Sequence, residues 1–234
     1  MTLCETTGKT KNITRRQASI IAGCSLLLMA ILAPIANLGA VVHLIVKGDP
    51  AATLSNIVSS MGMFRAGIFL FLIVAVLDVI VAWALYIVFT ESNKGLSMFA
   101  AWLRLVYTAI LATSTNHLFQ VMSLLGNSGC EMFETNQMAA QVMFQLNSFQ
   151  SGWDLGLLIF GAHLIVLGYL VIKSMDFPKF LGILISIAGL GYMIDSIGKI
   201  LVSGYSLQIS MYTFIGEVLL IFWLFWRGIK GFKN

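Results

Sequence analysis

Six long apolar stretches constrain this chain more than any other feature. They run from Ala18 to Ile45, Phe64 to Phe89, Leu96 to Leu125, Trp153 to Ile172, Phe180 to Val202 and Ser210 to Trp226. The hydrocarbon core of a bilayer is about 30 Å thick, and a helix rising ~1.5 Å per residue crosses it in roughly 20 residues. Inside hydrocarbon every backbone polar group must find its partner within the protein, so only helices and closed barrels can span. The short alternating segments of a membrane barrel are missing here. The expected fold is therefore an all-α membrane protein, a six-transmembrane-helix bundle. Composition agrees: 59% of residues are hydrophobic and 10% charged, against about a quarter charged in a soluble domain.

Basic residues set the expected orientation. The tail at 1–17 carries Lys9, Lys11, Arg15 and Arg16, alternate loops carry Lys94, Lys173 and Lys179, and the far tail carries Arg227, Lys230 and Lys233. These ten fall on one side of a six-span chain, and Lys47 alone falls in an opposite loop. The excess marks the cytoplasmic side. Both termini are thus expected in the cytoplasm, with residues 1–17 and 228–234 as basic tails around a membrane domain at 18–227, in a bacterial inner membrane. The first apolar run continues past the length of a cleavable signal, so it reads as a signal anchor. Pro34 cannot donate to the Ala30 carbonyl and should kink that helix. The polar loop at 126–152 has no basic residue; its Met138, Val142, Leu146 and Phe149 recur at helical spacing, which predicts one short amphipathic helix there.

The same charge pattern excludes a nucleic-acid partner. A net charge of +4 arranged by loop is an insertion signal, not a binding face. Cys4, Cys24 and Cys130 are too scattered to read as a pair. The expected partners are the lipid bilayer and a small-molecule or ion ligand, with no cofactor implied.

Ionisable groups inside the spans are costly and by default mark function. Counting depth along each span puts Arg65, His117, Asp154, Asp195, Lys199 and Glu217 in the outer half, together with Tyr192 on the face of Asp195. Polar groups on several spans at one depth predict an outward-facing polar cavity. Asp195 and Lys199 are four residues apart and can pair within a helix. Arg65 and Glu217 are a second candidate pair. Asp154 shares its face with Gly161 and Gly168, a small-residue stripe suited to close packing, whereas His163 lies about half a turn away from it. Asp78 and Arg104 sit at one depth in the inner half, where mutual pairing removes much of the ~2.5–3.5 kcal/mol each would cost alone; this predicts a structural ion pair.

Two chemistries compete for the cavity. In the first, it binds or translocates a small ligand or proton, or belongs to an accessory membrane subunit. In the second, His117, Asp154, Asp195 and Glu217, with His43 or His163 in support, hold a metal for intramembrane hydrolysis, since catalytic zinc needs three N/O ligands and an open position. No HxxxH or HExxH spacing supports the second. The outer-side methionines, with one close pair at Met61 and Met63, read as gap fillers in an apolar interior.

Several motifs are familiar as a set. FPKFLGILISIAGLGYMIDS and FIGEVLLIFWLFWRGIKG, with LDVIVAWALY, RLVYTAIL and GAHLIVLGYLVIKS, resemble a family of small bacterial membrane proteins, the domain-of-unknown-function family four-three-eight-six. The resemblance covers nearly all of the chain after about Arg15. It implies a multi-pass membrane protein and marks Asp78, Arg104, His163, Asp195 and Glu217 as family-like polar positions, without assigning them an activity or cofactor.

Overall fold

A computed structural model describes residues 13–126 and 134–232. Cys4, Cys130 and Met132 lie outside the described residues. Among the described residues eight α-helices follow one another: α1 (Arg15–Pro34), α2 (Pro50–Ser59), α3 (Met61–Phe89), α4 (Lys94–Leu124), α5 (Thr135–Lys173), α6 (Lys179–Leu201), α7 (Ser210–Thr213) and α8 (Ile215–Lys230). No strand occurs among the described residues. Six of the described helical segments are long and apolar enough to cross a membrane: Arg15–Leu44, Met61–Phe89, Lys94–Leu124, Thr135–Lys173, Lys179–Leu201 and Ser210–Lys230.

Helix ends follow local chemistry. Thr14 and Gln17 form a reciprocal cap on α1, in which the Gln17 amide donates to Thr14 Oγ1 and the Thr14 amide donates to Gln17 Oε1. Asp49 caps α2, with Pro50 occupying its first turn where no amide hydrogen is needed. Asn93 caps α4 in the same way. At Pro34 the ladder of α1 re-registers into a π-turn over Ile35–Gly39 and then a 3₁₀ turn over Val42–Leu44. A missing amide hydrogen at proline is a common reason for such a change of register.

The amphipathic stretch of the 126–152 loop is helical, but it is no separate element. It forms the first part of α5, which continues for 39 residues to Lys173. At ~1.5 Å per residue this helix is nearly twice as long as the hydrocarbon core is thick. Nothing between Thr135 and Lys173 breaks a helix, and the stripe of Met138, Val142, Leu146 and Phe149 is buried in the bundle. The short helix α2, with Thr53 and Ile57 inward, packs on α5 and completes that end of the molecule.

The spans close into a ring. Each packs on its neighbours in the chain, in the order α1, α3, α4, α5, α6, α8, and α8 returns to α1. Small residues set the tightest seam, between α5 and α6. A Cβ added at Gly161 would lie 2.6 Å from the Gly189 carbonyl oxygen, and one at Gly168 would lie 2.6 Å from that of Gly182. The two backbones therefore touch along the stripe, where only glycine fits.

The α1–α8 seam is closed by polar contacts at the end that holds Arg15 and Lys230. Ser19 Oγ donates to the Leu224 carbonyl at 2.8 Å, and Arg16 Nε to the Gly228 carbonyl at 2.6 Å. Beside them Asp176, in the turn between α5 and α6, gathers α1 and α8. Its carboxylate accepts from Arg227 at 2.9 Å and from Arg15 at 3.2 Å, and its carbonyl accepts from Trp223 Nε1 at 3.1 Å and from Arg227 Nε. Arg15 also pairs with Glu91, donates to the Val88 carbonyl at 3.1 Å and lies 4.2 Å over the Phe232 ring. The ring is thus tied shut at this end by charges placed just past the apolar stretches. Arg227 belongs to this cluster and is buried, not part of a solvated tail.

Candidate functional site

Among the described residues two adjoining spaces lie within the ring, where sequence reading expects one polar cavity. The smaller, about 260 Å³, lies toward the end that carries the 202–209 turn. The larger, about 440 Å³, occupies the middle of the ring, and all six spans contribute to its wall. Trp153, Leu157, Tyr192 and Phe214 line both and form the partition between them. We refer to the spaces as the vestibule and the chamber.

Asp154, Tyr192, Asp195 and Lys199 meet in the vestibule. Their pairing departs from the sequence expectation. Lys199 reaches across to α5 and lies 2.7 Å from Asp154 Oδ1, with Gln150 Nε2 donating to the same oxygen at 3.1 Å. Asp195 is already committed. Its Oδ1 accepts from the Tyr205 hydroxyl at 2.9 Å and the Ile209 amide at 3.0 Å, and its Oδ2 accepts from the Ser210 amide at 2.8 Å and hydroxyl at 2.7 Å. A carboxylate with four donors has little left to offer a lysine. Asp195 therefore caps the first turn of α7 from the neighbouring helix and fixes the 202–209 turn, which reverses at Gly204 with φ +77°.

Two expected cavity residues stand apart from both spaces. Arg65 is exposed and makes no ion pair among the described residues, so the Arg65–Glu217 pair is absent. The α3 register turns Arg65 outward, while Phe64, Gly67 and Ile68 face the core. His117 Nδ1 lies 2.8 Å from Gln145 Oε1 in the seam between α4 and α5. Among the described residues no three His, Cys, Asp or Glu side chains converge to hold a metal. The set of His117, Asp154, Asp195 and Glu217 is thus not assembled: His117 faces Gln145, Asp154 faces Lys199, Asp195 caps a turn and Glu217 lies beyond the partition. His43 is exposed at the end of the first span.

The chamber holds the deeper charges. Arg104 lies 2.7 Å through Nη2 and 2.8 Å through Nε from Asp78 Oδ1. Its Nη1 is 3.3 Å from His163 Nε2, and His163 Nδ1 is 2.8 Å from the Ala100 carbonyl. A carbonyl can only accept, so Nδ1 carries a proton and Nε2 is left to accept from Arg104. The result is a relay of fixed polarity from α3 through α4 to α5, with Asp78 0%, Arg104 2% and His163 1% exposed. His163 faces α4, while Asp154, on the other side of the same helix, faces α6. Sequence periodicity separates the two correctly but gives no sign that Arg104 joins His163.

Glu217 enters the chamber from the first turn of α8, beside Tyr192. Its Oε1 is shut away from solvent and has no hydrogen-bond partner, and the same holds for Asp78 Oδ2. Around them the wall is apolar and aromatic. Phe160 is central: its ring centre lies 4.9 Å from Tyr107, 5.4 Å from Tyr192 and 5.8 Å from His163, with the Arg104 guanidinium 5.4 Å above it. These aromatics escape a reading based on charge, because an aromatic in an apolar span has no signature separating cavity wall from lipid face. Arg104, the basic residue of the chamber lining, pairs with Asp78 and not with Glu217, so with both carboxylates ionised the wall carries one uncompensated negative charge.

Comparison with known proteins adds kinship without an activity. The family described as Domain of unknown function (DUF4386) matches residues 21–228. A protein of Archaeoglobus fulgidus described as "Uncharacterized protein" is 42% identical over 164 residues, which cover 70% of this chain and 83% of that protein. No solved structure matches.

Proposed function

The chain belongs to the DUF4386 family, and on that premise we propose that it is a membrane-embedded binding protein that holds a small ligand in the chamber. The observation that carries this reading is that Asp78 and Glu217, which line a space of about 440 Å³, each have one buried carboxylate oxygen without a partner, Oδ2 and Oε1. Buried polar atoms in folded proteins almost always have partners, and exceptions call for an explanation. A space of this size also falls within the range of ordinary ligand pockets, which are mainly apolar with a few convergent polar groups. A ligand that donates to these oxygens explains both features together.

In the orientation set by the Lys and Arg count, both ends face the cytoplasm and the vestibule faces outward in a cytoplasmic membrane. The ligand then reaches the chamber from outside, past Trp153, Tyr192 and Phe214. Binding and translocation share this route, and a reporter fused to the carboxyl end distinguishes inside from outside. The hydrolase reading draws no support from three converging ligands.

Native mass spectrometry of protein released from nanodiscs tests the binding claim. Wild-type protein should retain a small-molecule adduct, and Leu164→Trp, which fills the chamber from α5, should lose it. An adduct that survives Leu164→Trp unchanged, or none in any preparation, overturns it.

A further inference from the structure

Resting on that reading, we infer that the chamber's ligand is a lipophilic monocation: an ammonium-type head on an apolar body. Charge, donors, wall chemistry and shape each select this class. With both carboxylates ionised, Asp78 and Glu217 outnumber Arg104 by one, and the low dielectric inside the ring leaves that difference poorly screened. His163 adds no charge, because its Nε2 serves as acceptor for Arg104 while its Nδ1 donates to the Ala100 carbonyl. A single positive head restores balance.

The unpartnered atoms are both carboxylate oxygens, which accept and cannot donate when ionised. They call for a donor, which an ammonium supplies together with its charge. Anions are disfavoured, since the charge of Arg104 is already balanced by Asp78 and each of its three nitrogens has a partner in Asp78 or His163. A bare inorganic cation is also a poor match. It needs a shell of several oxygens, whereas this wall is chiefly hydrocarbon, with Leu26, Met29, Val74, Leu164 and Ile221 among its members.

The aromatic side chains complete the match. Tyr107, Phe160, Tyr192, Phe214 and Trp153 all line the chamber, and ring faces attract cations, most strongly where water is excluded. The head is thus held between Glu217 and the rings, and the apolar body extends along the α1 side of the chamber, from Leu26 to Pro34.

Three probes with one tail isolate the head: octylammonium, octanol and octanoate, each titrated calorimetrically into purified full-length protein against protein-free micelles. Octylammonium should bind saturably and at least about tenfold more tightly than octanol, and octanoate should show no saturable binding. In Glu217→Gln the ammonium advantage should fall below about threefold. If octanol binds as tightly as octylammonium, or if the advantage survives Glu217→Gln, the cation assignment is overturned and the binding chamber stands. If none of the three saturates, or if binding is unchanged in Leu164→Trp, the chamber reading itself fails. The wild-type comparison needs no variant to fold.

Discussion

The ring handles buried charge in two opposite ways. At the end holding Arg15 and Lys230, Asp176 uses its carboxylate and its carbonyl on Arg15, Arg227 and Trp223, drawing α1 and α8 onto one turn. In the middle, Glu217 and Asp78 each keep an oxygen with no protein partner. Both regions contain carboxylates and arginines, so composition does not separate them. Satisfaction does. A polar cluster whose donors and acceptors are all used is finished as structure, whereas one with orphaned acceptors around an open space has capacity left for a ligand.

Substitutions that leave a charge stranded should give the largest effects. Arg104→Leu strips Asp78 of its guanidinium in a site 0% exposed, which should cost about 3–5 kcal/mol. A large fall in the thermal midpoint in detergent reads this out. The exchange of Asp78→Arg with Arg104→Asp should recover part of that loss; expression no better than either single variant would show that their pairing is not what holds α3 to α4. Next comes Asp176→Asn, which keeps the carbonyl contacts but removes the charge facing Arg15 and Arg227. A loss of about 1.5–3 kcal/mol is expected, in the range of charge-assisted hydrogen bonds. Gly168→Val tests the α5–α6 seam independently of charge, and overpacking there should cost about 1–3 kcal/mol.

The contrast is sharpest at Glu217. If its free oxygen is kept for a ligand, Glu217→Gln should leave the thermal midpoint of ligand-free protein unchanged or higher, within about 1 kcal/mol. A collapse in stability comparable to Arg104→Leu would move Glu217 into the structural class. The smallest effect belongs to Lys199→Met at the vestibule rim. Its side chain is 39% exposed opposite Asp154, so the change should stay below about 1 kcal/mol.

The fold is legible because a bilayer limits the solutions: apolar length alone identifies the six spans, and glycine spacing on α5 identifies the face that meets α6. Depth counting also places Asp78 level with Arg104 on adjacent helices. Rotation is harder. Arg65 has the depth of a cavity residue but points out of the ring, and depth without azimuth cannot reveal this. Asp195 and Lys199 have helical spacing suited to pairing, yet the 202–209 turn folds back to supply Asp195 with four donors. That competition depends on loop geometry with no periodic signal. The Asp176 cluster is concealed for a related reason: it forms only where the ring closes, and the meeting of α8 with α1 is not written in any local pattern. The long helix α5 is partly legible, since its amphipathic beginning and apolar continuation are each clear, and only the unbroken join between them is not.

Ring closure bears on the order of assembly during synthesis. The wall that separates Arg104 from the bilayer is incomplete until α8 has been inserted and has found α1, the most distant of the six spans in chain order. A nascent chain paused before residue 210 holds its arginine and aspartate in an open trough, exposed to acyl chains or to an insertion factor. The sixth span is therefore a keystone as well as a wall.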